Sequence, residues 1–483
     1  MSILNQSNQN SSLVNSLMDA TQSLTNPFVY SIEKQVPFHG MQYIRHDPVN
    51  AASFGPSSSI DFDLTKLGFL RSAIFTWNTT PPTGAQDCPP SGTLNAIDRI
   101  ELLSASRRLA VMDRHALKAA FSDMPADVRS NYLKGLHAVS SGKQMPDGET
   151  YTSHLFVPMA FFSNIKNSLA LSFVEPIKLR VVMSNNQYTV IKSGTDGTGA
   201  GEKSTRGTMA LTAPELYCEY RILDPEAEDA TIEENYDNVL TQLSYDYHTE
   251  VEATGTLAAD GELDMSVELK DPGVISAAYV IVSCDYDDVH SAAELADGAS
   301  GSSSAGNSLD KAQKMQKNMV AAEQPLICTS IGFKASGQEI VPEMPARILE
   351  LYGRRNLSSA HHATGFGNTY QSRDDPTNLH NVYKLDFGVD SDNRYNSGGI
   401  SLRELNAPTI SVKVRRANGG TAANDGEGGA DEGQRPETTG KLGSNQNPGV
   451  LAGKTVKMRV VLKKHVLISS DPASGRLVQS ISN

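Results

Sequence analysis

The chain has 483 residues, a formal net charge of −13 at pH 7, 39% hydrophobic residues and 20% charged residues. It is longer than the roughly 250–300 residues at which a single core stops growing, so we expect two globular domains. The acidic balance, with Lys34 as the first basic residue, argues against a strong grip on nucleic acid, because phosphate binding needs clustered lysine and arginine.

Residues 1–25 are predicted to form a polar N-terminal arm. The arm is too polar for a signal peptide, and no apolar run in the chain reaches the roughly 18–20 residues of a membrane span, so we expect a protein made in the cytosol. Five apolar residues of the arm approximate one helical face: Leu13, Val14, Leu17, Met18 and Leu24. They are equally well interpreted as a docking face or as part of a frayed terminus.

An alternation of apolar and polar residues with a period of two marks the main structural elements. It runs through residues 177–183, 263–269, 410–414 and 456–462. This period places one face of a strand on a core and the other face in solvent. Such strands, separated by Gly-, Pro- and Asn-rich turns, are typical of antiparallel β-sandwiches. We therefore predict an all-β fold with a few short helices.

A helix is predicted near the middle of the chain. Asp224 followed by Pro225 has the form of an N-cap and a first helical residue, and acidic residues that suit a first helical turn come next. We place the domain boundary there. The predicted units are the arm at 1–25, a first sandwich at 26–224, a linker helix at 225–238 and a second sandwich at 239–483.

Three segments are predicted to be long loops at the ends of the sandwiches. Residues 187–212, 285–324 and 417–449 are polar and poor in aromatic side chains. Structureless loops longer than about 12–15 residues are uncommon in compact domains and usually indicate a functional or disordered surface.

An internal repeat links the two halves of the chain. Residues 99–109 (RIELLSASRRL) resemble residues 330–340 (SIGFKASGQEI) at an offset of 231. One offset that is kept across separated blocks indicates duplication of a whole domain. The superposed apolar residues are Ile100 and Ile331, Leu102 and Phe333, Leu109 and Ile340, Leu169 and Ile400, Leu179 and Ile410, Val181 and Val412, and Met183 and Val414.

Several segments, from Asn26-Pro27 to the C-terminal residues 461–483, carry a likeness to a known family. Among them are IDRIELLSASRRL (97–109), HLFVPMAFFSNIKNSLALSFVEPIKLRVVM (154–183), ELYCEYRILDPEAED (215–229) and VYKLDFGVDSDNRYNSGGISLRELNAPTISVKV (382–414). In order and spacing they resemble segments of the double jelly-roll major capsid proteins of eukaryotic double-stranded DNA viruses, a family that includes nucleocytoplasmic large DNA viruses, polinton-like viruses and virophages. The segment at 97–109 is similar to a strand and turn that lead into a short helix in that family.

The resemblance implies a capsid subunit without enzymatic activity, built from two tandem eight-stranded jelly rolls. It also implies homotrimeric, pseudo-hexameric capsomers that tile an icosahedral shell in the virion, after synthesis in the host cytoplasm or at an assembly site. The implied partners are neighbouring capsomers, minor capsid and penton proteins, an inner membrane surface and, through outer loops, host-surface glycans. The apolar face of the arm would then contact minor capsid proteins or neighbouring trimers, and no direct binding of nucleic acid is expected.

No catalytic, metal or cofactor site is predicted. Residues 197–205 (GTGAGEKST) approach a phosphate-binding loop, but Glu202 stands where that motif needs glycine. The adjacent His361 and His362 lack the spacing of metal ligands, and the acidic loop from Asp285 lacks the calcium-loop pattern. The four cysteines are far apart, which favours reduced thiols over a disulfide framework.

A carbohydrate-binding or glycan-processing jelly-roll protein is the alternative function. Jelly rolls host lectins as well as capsid subunits. Sugar sites usually expose aromatic side chains for stacking, whereas the single tryptophan, Trp77, lies in a predicted strand near Phe75 and is expected to be buried.

Overall fold

The structure is a computed structural model, and strands make up most of the residues that it describes. No helix among these residues is both long and apolar enough to cross a bilayer. The described residues are 38–50, 54–81, 85–87, 92–105, 107–124, 126–137, 149–159, 162, 169–184, 188–193, 203–223, 240–256, 263–284, 326–345, 382–388, 398–416, 455–471 and 476–481.

In chain order the strands are β1 Phe38–His46, β2 Ser59–Asp63, β3 Phe69–Thr80, β4 Ala85–Asp87, β5 Ile97–Ser104, β6 Arg107–Asp113, β7 Tyr151–Phe156, β8 Leu169–Ala170, β9 Ile177–Met183, β10 Tyr188–Ser193, β11 Lys203–Thr208, β12 Ala210–Leu223, β13 Leu240–Thr256, β14 Leu263–Glu268, β15 Val274–Cys284, β16 Leu326–Ala335, β17 Gln338–Pro345, β18 Val382–Asp386, β19 Ile400–Ser401, β20 Thr409–Arg416, β21 Thr455–Asp471 and β22 Arg476–Ile481. Two α-helices, α1 Arg114–Ser122 and α2 Ala126–Gly135, lie between β6 and β7. Short 3-10 helices cover Gly92–Ala96, Leu171–Phe173 and Leu402–Glu404.

Two antiparallel sheets form the first jelly roll. Their main strands stand in the orders β1-β12-β3-β7 and β2-β9-β5-β6. When the eight main strands are numbered along the chain, these orders are 1-8-3-6 and 2-7-4-5. The first and last strands are therefore neighbours in one sheet, which is the wrapped arrangement of a jelly roll.

The second jelly roll has the same topology. Its sheets have the orders β13-β21-β15-β18 and β14-β20-β16-β17, which again read 1-8-3-6 and 2-7-4-5. In each roll a two-residue strand pairs with the third main strand and runs into a 3-10 helix, as β8 does on β3 and β19 on β15. The prediction of two tandem eight-stranded jelly rolls is confirmed.

The internal repeat is preserved in the pairing of the strands. At an offset of 231, residues that are partners in the first roll map onto residues that are partners in the second roll. The matched pairs are Ile100–Val181 with Ile331–Val412, Leu102–Leu179 with Phe333–Ile410, and Leu102–Ala110 with Phe333–Val341. The equivalence is therefore one of strand register and not only of residue type.

The first three strands of each roll correspond at a smaller offset. The Leu64 N–H donates to the Ile177 carbonyl at 3.0 Å, and the Leu269 N–H donates to the Pro408 carbonyl at 2.8 Å. Leu64 and Leu269 are 205 residues apart, whereas Ile177 and Pro408 are 231 apart. The second roll thus carries 26 more residues between these points, and the predicted loop at 285–324 falls in that interval.

The apolar residues of the alternating strands line the cores as predicted. Phe75 and Trp77 are fully buried in β3 and stack with ring centroids 5.0 Å apart. Phe333 and Ile410 are equally buried in the core of the second roll. The predicted burial of Trp77 is confirmed, and this removes the one tryptophan from any surface that could stack on a sugar.

The predicted loop at 187–212 is wrong in part. Residues 188–193 form β10 and residues 203–208 form β11, and both belong to a three-stranded sheet with the order β11-β10-β4. The low aromatic content obscured the strand signal of Thr189, Val190 and Ile191, since β-branched residues pack well on a pleated surface without aromatic neighbours.

Several predictions fall outside the described residues. They are the arm at 1–25, the linker helix at 225–238 and the loops at 285–324 and 417–449. The domain boundaries drawn from them stay predictions. The short helix implied by the family resemblance is present as α1, whose N-cap Asp113 accepts the Ala116 N–H at 2.7 Å.

Gly68 controls the approach of two strands in the first roll. It precedes β3 with φ at +45°, and a Cβ atom there would overlap the backbone carbonyl of Arg221 in β12. Its own carbonyl accepts the Leu171 N–H at 2.9 Å, as the carbonyl of Gly273 accepts the Leu402 N–H at 3.1 Å in the second roll. The position therefore requires glycine for both conformation and space.

We predict that Gly68→Ala lowers the free energy of unfolding by more than about 2 kcal/mol, because the new side chain meets both a left-handed backbone and a neighbouring carbonyl. Gly55→Ala is the control, since nothing lies within 4 Å of a Cβ atom there, and its effect should stay within about 0.5 kcal/mol. Urea titration followed by circular dichroism measures both. Equal effects of the two substitutions would contradict the packing of β3 against β12.

Candidate functional site: the seam between the two rolls

The two rolls meet where α1 packs on the sheet that contains β13, β21 and β18. Both faces of this sheet are buried along its inner strand β15. Ala278, Val280 and Val282 point into the core of the second roll, whereas Ala277 and Tyr279 belong to a cluster that is continuous with the core of the first roll. We call this contact the seam. Its polar centre consists of Asp123, Tyr247, Tyr279, Lys384 and Lys463.

Asp123 is the contribution of the first roll to this centre. It caps the C-terminus of α1, and its backbone N–H donates to the Ala119 carbonyl at 3.1 Å. The helix end thereby directs the carboxylate toward the second roll. Its side chain is only 3% exposed.

Two lysines of the second roll neutralise this carboxylate. Lys384 Nζ in β18 lies 2.8 Å from Asp123 Oδ1, and Lys463 Nζ in β21 lies 2.8 Å from Oδ2. The Tyr247 hydroxyl donates to Oδ2 at 3.0 Å. The lysine side chains are 10% and 8% exposed, so all three charges are largely removed from water. Asp386 lies 3.6 Å from Lys384 and balances the second ammonium charge.

The ammonium groups determine the ionisation of Asp123. Burial alone would raise the pKa of its carboxyl group, but Lys384 and Lys463 outweigh burial and hold that pKa well below its usual range. Burial lowers the pKa of Lys463, whereas for Lys384 the charges of Asp123 and Asp386 outweigh burial and raise the pKa. The centre is therefore an ion triad at neutral pH.

Tyrosine rings hold the two lysines in place. Tyr247 lies directly opposite Lys463 across β13 and β21, and Tyr279 lies opposite Lys384 across β15 and β18. Lys463 Nζ is 4.6 Å from the ring centroid of Tyr245, within cation–π range. Burial, and next the charge of Asp123, raise the pKa values of Tyr247 and Tyr279 far above normal, so both phenols stay protonated.

This arrangement favours one orientation of the rolls. A buried carboxylate paired with two ammonium groups is costly to separate, because every partial opening leaves an uncompensated charge in a poorly hydrated place. The surrounding apolar contacts are less directional. We interpret the triad as the element that fixes the register of α1 on the second roll.

The structure gives no support to the other candidate sites within its described residues. Lys203 begins strand β11, whereas a phosphate-binding loop needs a helix after its lysine. Burial raises the pKa of the Cys218 thiol to about 12, which makes it unreactive. His361, His362 and Asp285 lie outside the described residues, as do the arm residues Leu13, Val14, Leu17, Met18 and Leu24.

Sequence reasoning missed the seam, although one signal was present. Lys463, Lys464 and His465 interrupt the apolar run of β21, yet all three are buried. A strand with both faces buried is expected to read as continuously apolar. Charged residues within such a strand therefore predict buried partners, but nothing in the sequence identifies Asp123, 340 residues away, as one of them.

Comparisons with known proteins match the fold and not the sequence. No family model matches the chain, and no curated protein does. PBCV-1 VP54, in a crystal structure fitted into a reconstruction of the virophage Sputnik, matches with a TM-score of 0.61 and 12% identity over 95% of this chain and 100% of that one. The Faustovirus major capsid protein matches with a TM-score of 0.53 and 11% identity, over 91% and 92% of the two chains.

The mavirus major capsid protein has a TM-score of 0.50 and 10% identity, over 94% of this chain and 93% of that one. These matches extend over both rolls, so they concern the whole architecture and not one sandwich. The chain has the double jelly-roll fold of these capsid proteins.

We predict that Asp123→Asn lowers the free energy of unfolding by about 3–5 kcal/mol, because it leaves the buried Lys463 ammonium without its counter-charge and Lys384 with Asp386 alone. Asp63→Asn is the control. Asp63 pairs with Lys178 at 3.1 Å but is 58% exposed, and loss of an exposed pair costs less than about 1 kcal/mol. Asp123→Leu combined with Lys384→Met and Lys463→Met should be more stable than Asp123→Asn alone. Urea titration compares the variants, and equal loss from Asp123→Asn and Asp63→Asn would contradict the role of the triad.

The low pKa of Asp123 also predicts how stability depends on pH. A carboxyl group with a depressed folded-state pKa adds stability above its unfolded value, roughly 3.9, and this stability is lost as the pH falls through the folded value. Below about pH 4, the unfolding free energy of the wild type should therefore fall more steeply than that of the triple Leu/Met/Met variant. Denaturant titrations at a series of acidic pH values measure the two slopes. Identical slopes would show that Asp123 is not specifically stabilised as a carboxylate.

Proposed function

We propose that the protein is the major capsid protein of an icosahedral double-stranded DNA virus, and that its function is self-assembly without catalysis. One observation carries this proposal. The two jelly rolls share one strand order and meet at one buried seam, and the fold matches that of capsid proteins over nearly the full length of both compared chains. Fold alone does not determine function. Here, however, almost all the described residues build the two rolls, and the likeness to capsid proteins extends over both of them.

The duplication explains why a trimer is the expected unit. Three copies of a two-roll chain place six similar sandwiches around one axis, which gives a nearly hexagonal outline from threefold symmetry. This outline needs a fixed angle between the two rolls of each chain. The Asp123 triad supplies a reason for that angle to be constant in every copy.

The outer face of β1 and β12 is a surface that suits contact between copies. Met41 and Tyr43 lie two residues apart on β1, an edge strand, and are 47% and 67% exposed. Tyr217 on β12 faces the same side, opposite Arg45, and is 40% exposed. Tyrosine and methionine are enriched in protein interfaces, and charged neighbours supply specificity at the rim. We assign this face to contact with a second copy of the chain.

The remaining partners follow from a place in the shell. Neighbouring capsomers, minor capsid proteins and penton proteins would surround the trimer in the virion, and the arm at 1–25 is the proposed inward contact with them or with an inner membrane surface. The outer loops are the proposed site for host glycans. Before assembly the protein would occupy the host cytoplasm or an assembly site.

We predict that the purified full-length chain is a trimer of about 156 kDa, three times the 52.0 kDa of one chain. Light scattering coupled to gel filtration measures this mass. Tyr43→Glu should shift the population toward monomer because it places charge in an apolar contact. Ile340→Glu, at a residue that is 41% exposed in the second roll, should leave the trimer intact. A wild-type monomer would contradict the capsid proposal, whereas a trimer unaffected by Tyr43→Glu would contradict only the assigned face.

A further inference from the structure

A histidine and two carboxylates converge beside the seam without any part in the ion triad. His248 and Glu250 lie on β13, and Asp271 lies in the turn between β14 and β15. One potential ligand atom from each of the three lies within 4.8 Å of the others. His248 Nε2 lies 3.6 Å from Glu250 Oε2. The pairing of β13 with β21 is irregular between Thr249 and Glu252, and such bulges often re-aim a side chain.

Hydrogen bonds from the backbone hold both carboxylates in position. Glu250 Oε1 accepts the Lys270 N–H at 2.7 Å, and Asp271 Oδ1 accepts the Gly273 N–H at 2.9 Å. The second oxygen of Glu250 therefore faces His248, while the second oxygen of Asp271 accepts from Lys464 Nζ at 2.6 Å. The carboxylate side chains are 7% and 8% exposed, and the imidazole is 47% exposed. The two carboxylates are thus buried and held in place, and the imidazole nitrogen is accessible.

Carboxylates surround the exposed imidazole of His248. The charges of Glu250, Asp271 and Asp113, the N-cap of α1, act on it together with the ammonium charge of Lys464. Clustered carboxylates favour the approach of a cation.

We propose that His248, Glu250 and Asp271 bind a divalent transition-metal ion, with Zn²⁺ as the best fit. One imidazole and two carboxylates suit zinc, and water would complete a tetrahedral set. Zinc ligands at about 2.0–2.2 Å from the ion stand about 3.4 Å apart, close to the present separation of His248 and Glu250. Asp271 would join this set when its Oδ2 atom exchanges Lys464 for the metal.

The bound ion would join β13 to the turn before β15. Since β13 also contacts α1 across the seam, the ion would stabilise the second roll at the surface on which the first roll packs. Ligands that bind only the folded chain raise its stability by mass action. The site does not depend on the proposed capsid function.

The test is a titration of the full-length chain with ZnCl₂ after removal of metal by a chelator. Isothermal titration calorimetry should show one ion per chain, and saturating zinc should raise the melting temperature. His248→Ala should weaken zinc binding by more than about tenfold and abolish the thermal shift. His154→Ala is the control, because His154 is an exposed histidine on β7 of the first roll, away from the cluster.

A second variant separates metal binding from general disturbance of the fold. Lys464→Met removes the ammonium group that competes for Asp271, so it should strengthen zinc binding even if it lowers the stability of the metal-free protein. Failure of the wild type to bind zinc, or equal affinity in the wild type and His248→Ala, would overturn the proposal. Equal melting temperatures of the metal-free wild type and His248→Ala establish that a lost shift comes from the lost ligand.

Discussion

One buried carboxylate connects the two halves of this protein. Asp123, at the end of a helix that belongs to the first roll, lies between two lysines that belong to two strands of the second. Separation of the two rolls would leave charged groups without their ion-pair partners or expose them to solvent. The apolar contacts around the triad supply most of the burial, but they tolerate small rotations of one roll against the other. The triad tolerates such rotations far less, because its two ion pairs and its phenol contact all lie within 3.0 Å.

The triad also shows how a duplicated domain becomes asymmetric. The two rolls share strand order and register, so each alone would present similar surfaces. The described part of the first roll has α1 and α2 between its fifth and sixth main strands, and α1 covers the outer face of a sheet in the second roll. As a result the strand β15 of that sheet is buried on both sides and lacks the solvent-facing polarity expected in an antiparallel sheet. Two rolls with similar free surfaces would associate in several ways. Once the two rolls of one chain are joined at the seam, their remaining surfaces have a defined arrangement.

The sequence predicted the architecture well because local patterns carry it. Alternation at residues such as Ile177–Met183 identifies strands, and the offset that maps Ile100 onto Ile331 and Leu102 onto Phe333 reflects real strand pairing. The strands at 188–193 and 203–208 were missed because their residues are polar or β-branched and their neighbourhood resembles a loop. The seam could not be predicted, because Asp123 and Lys463 are brought together only by tertiary packing. The cluster of His248, Glu250 and Asp271 escaped for the same reason, since a bulge and a turn create it.

In the proposed capsid subunit, duplication would supply six similar sandwiches and the buried triad would fix the angle between the duplicated parts. The most direct test is an electron cryo-microscopy map of the purified native oligomer at a resolution that shows side chains. We predict six eight-stranded sandwiches around a threefold axis, with Asp123 of each chain between Lys384 and Lys463 of the same chain. A map with two sandwiches and no symmetry, or one in which α1 lies away from the second roll, would contradict it.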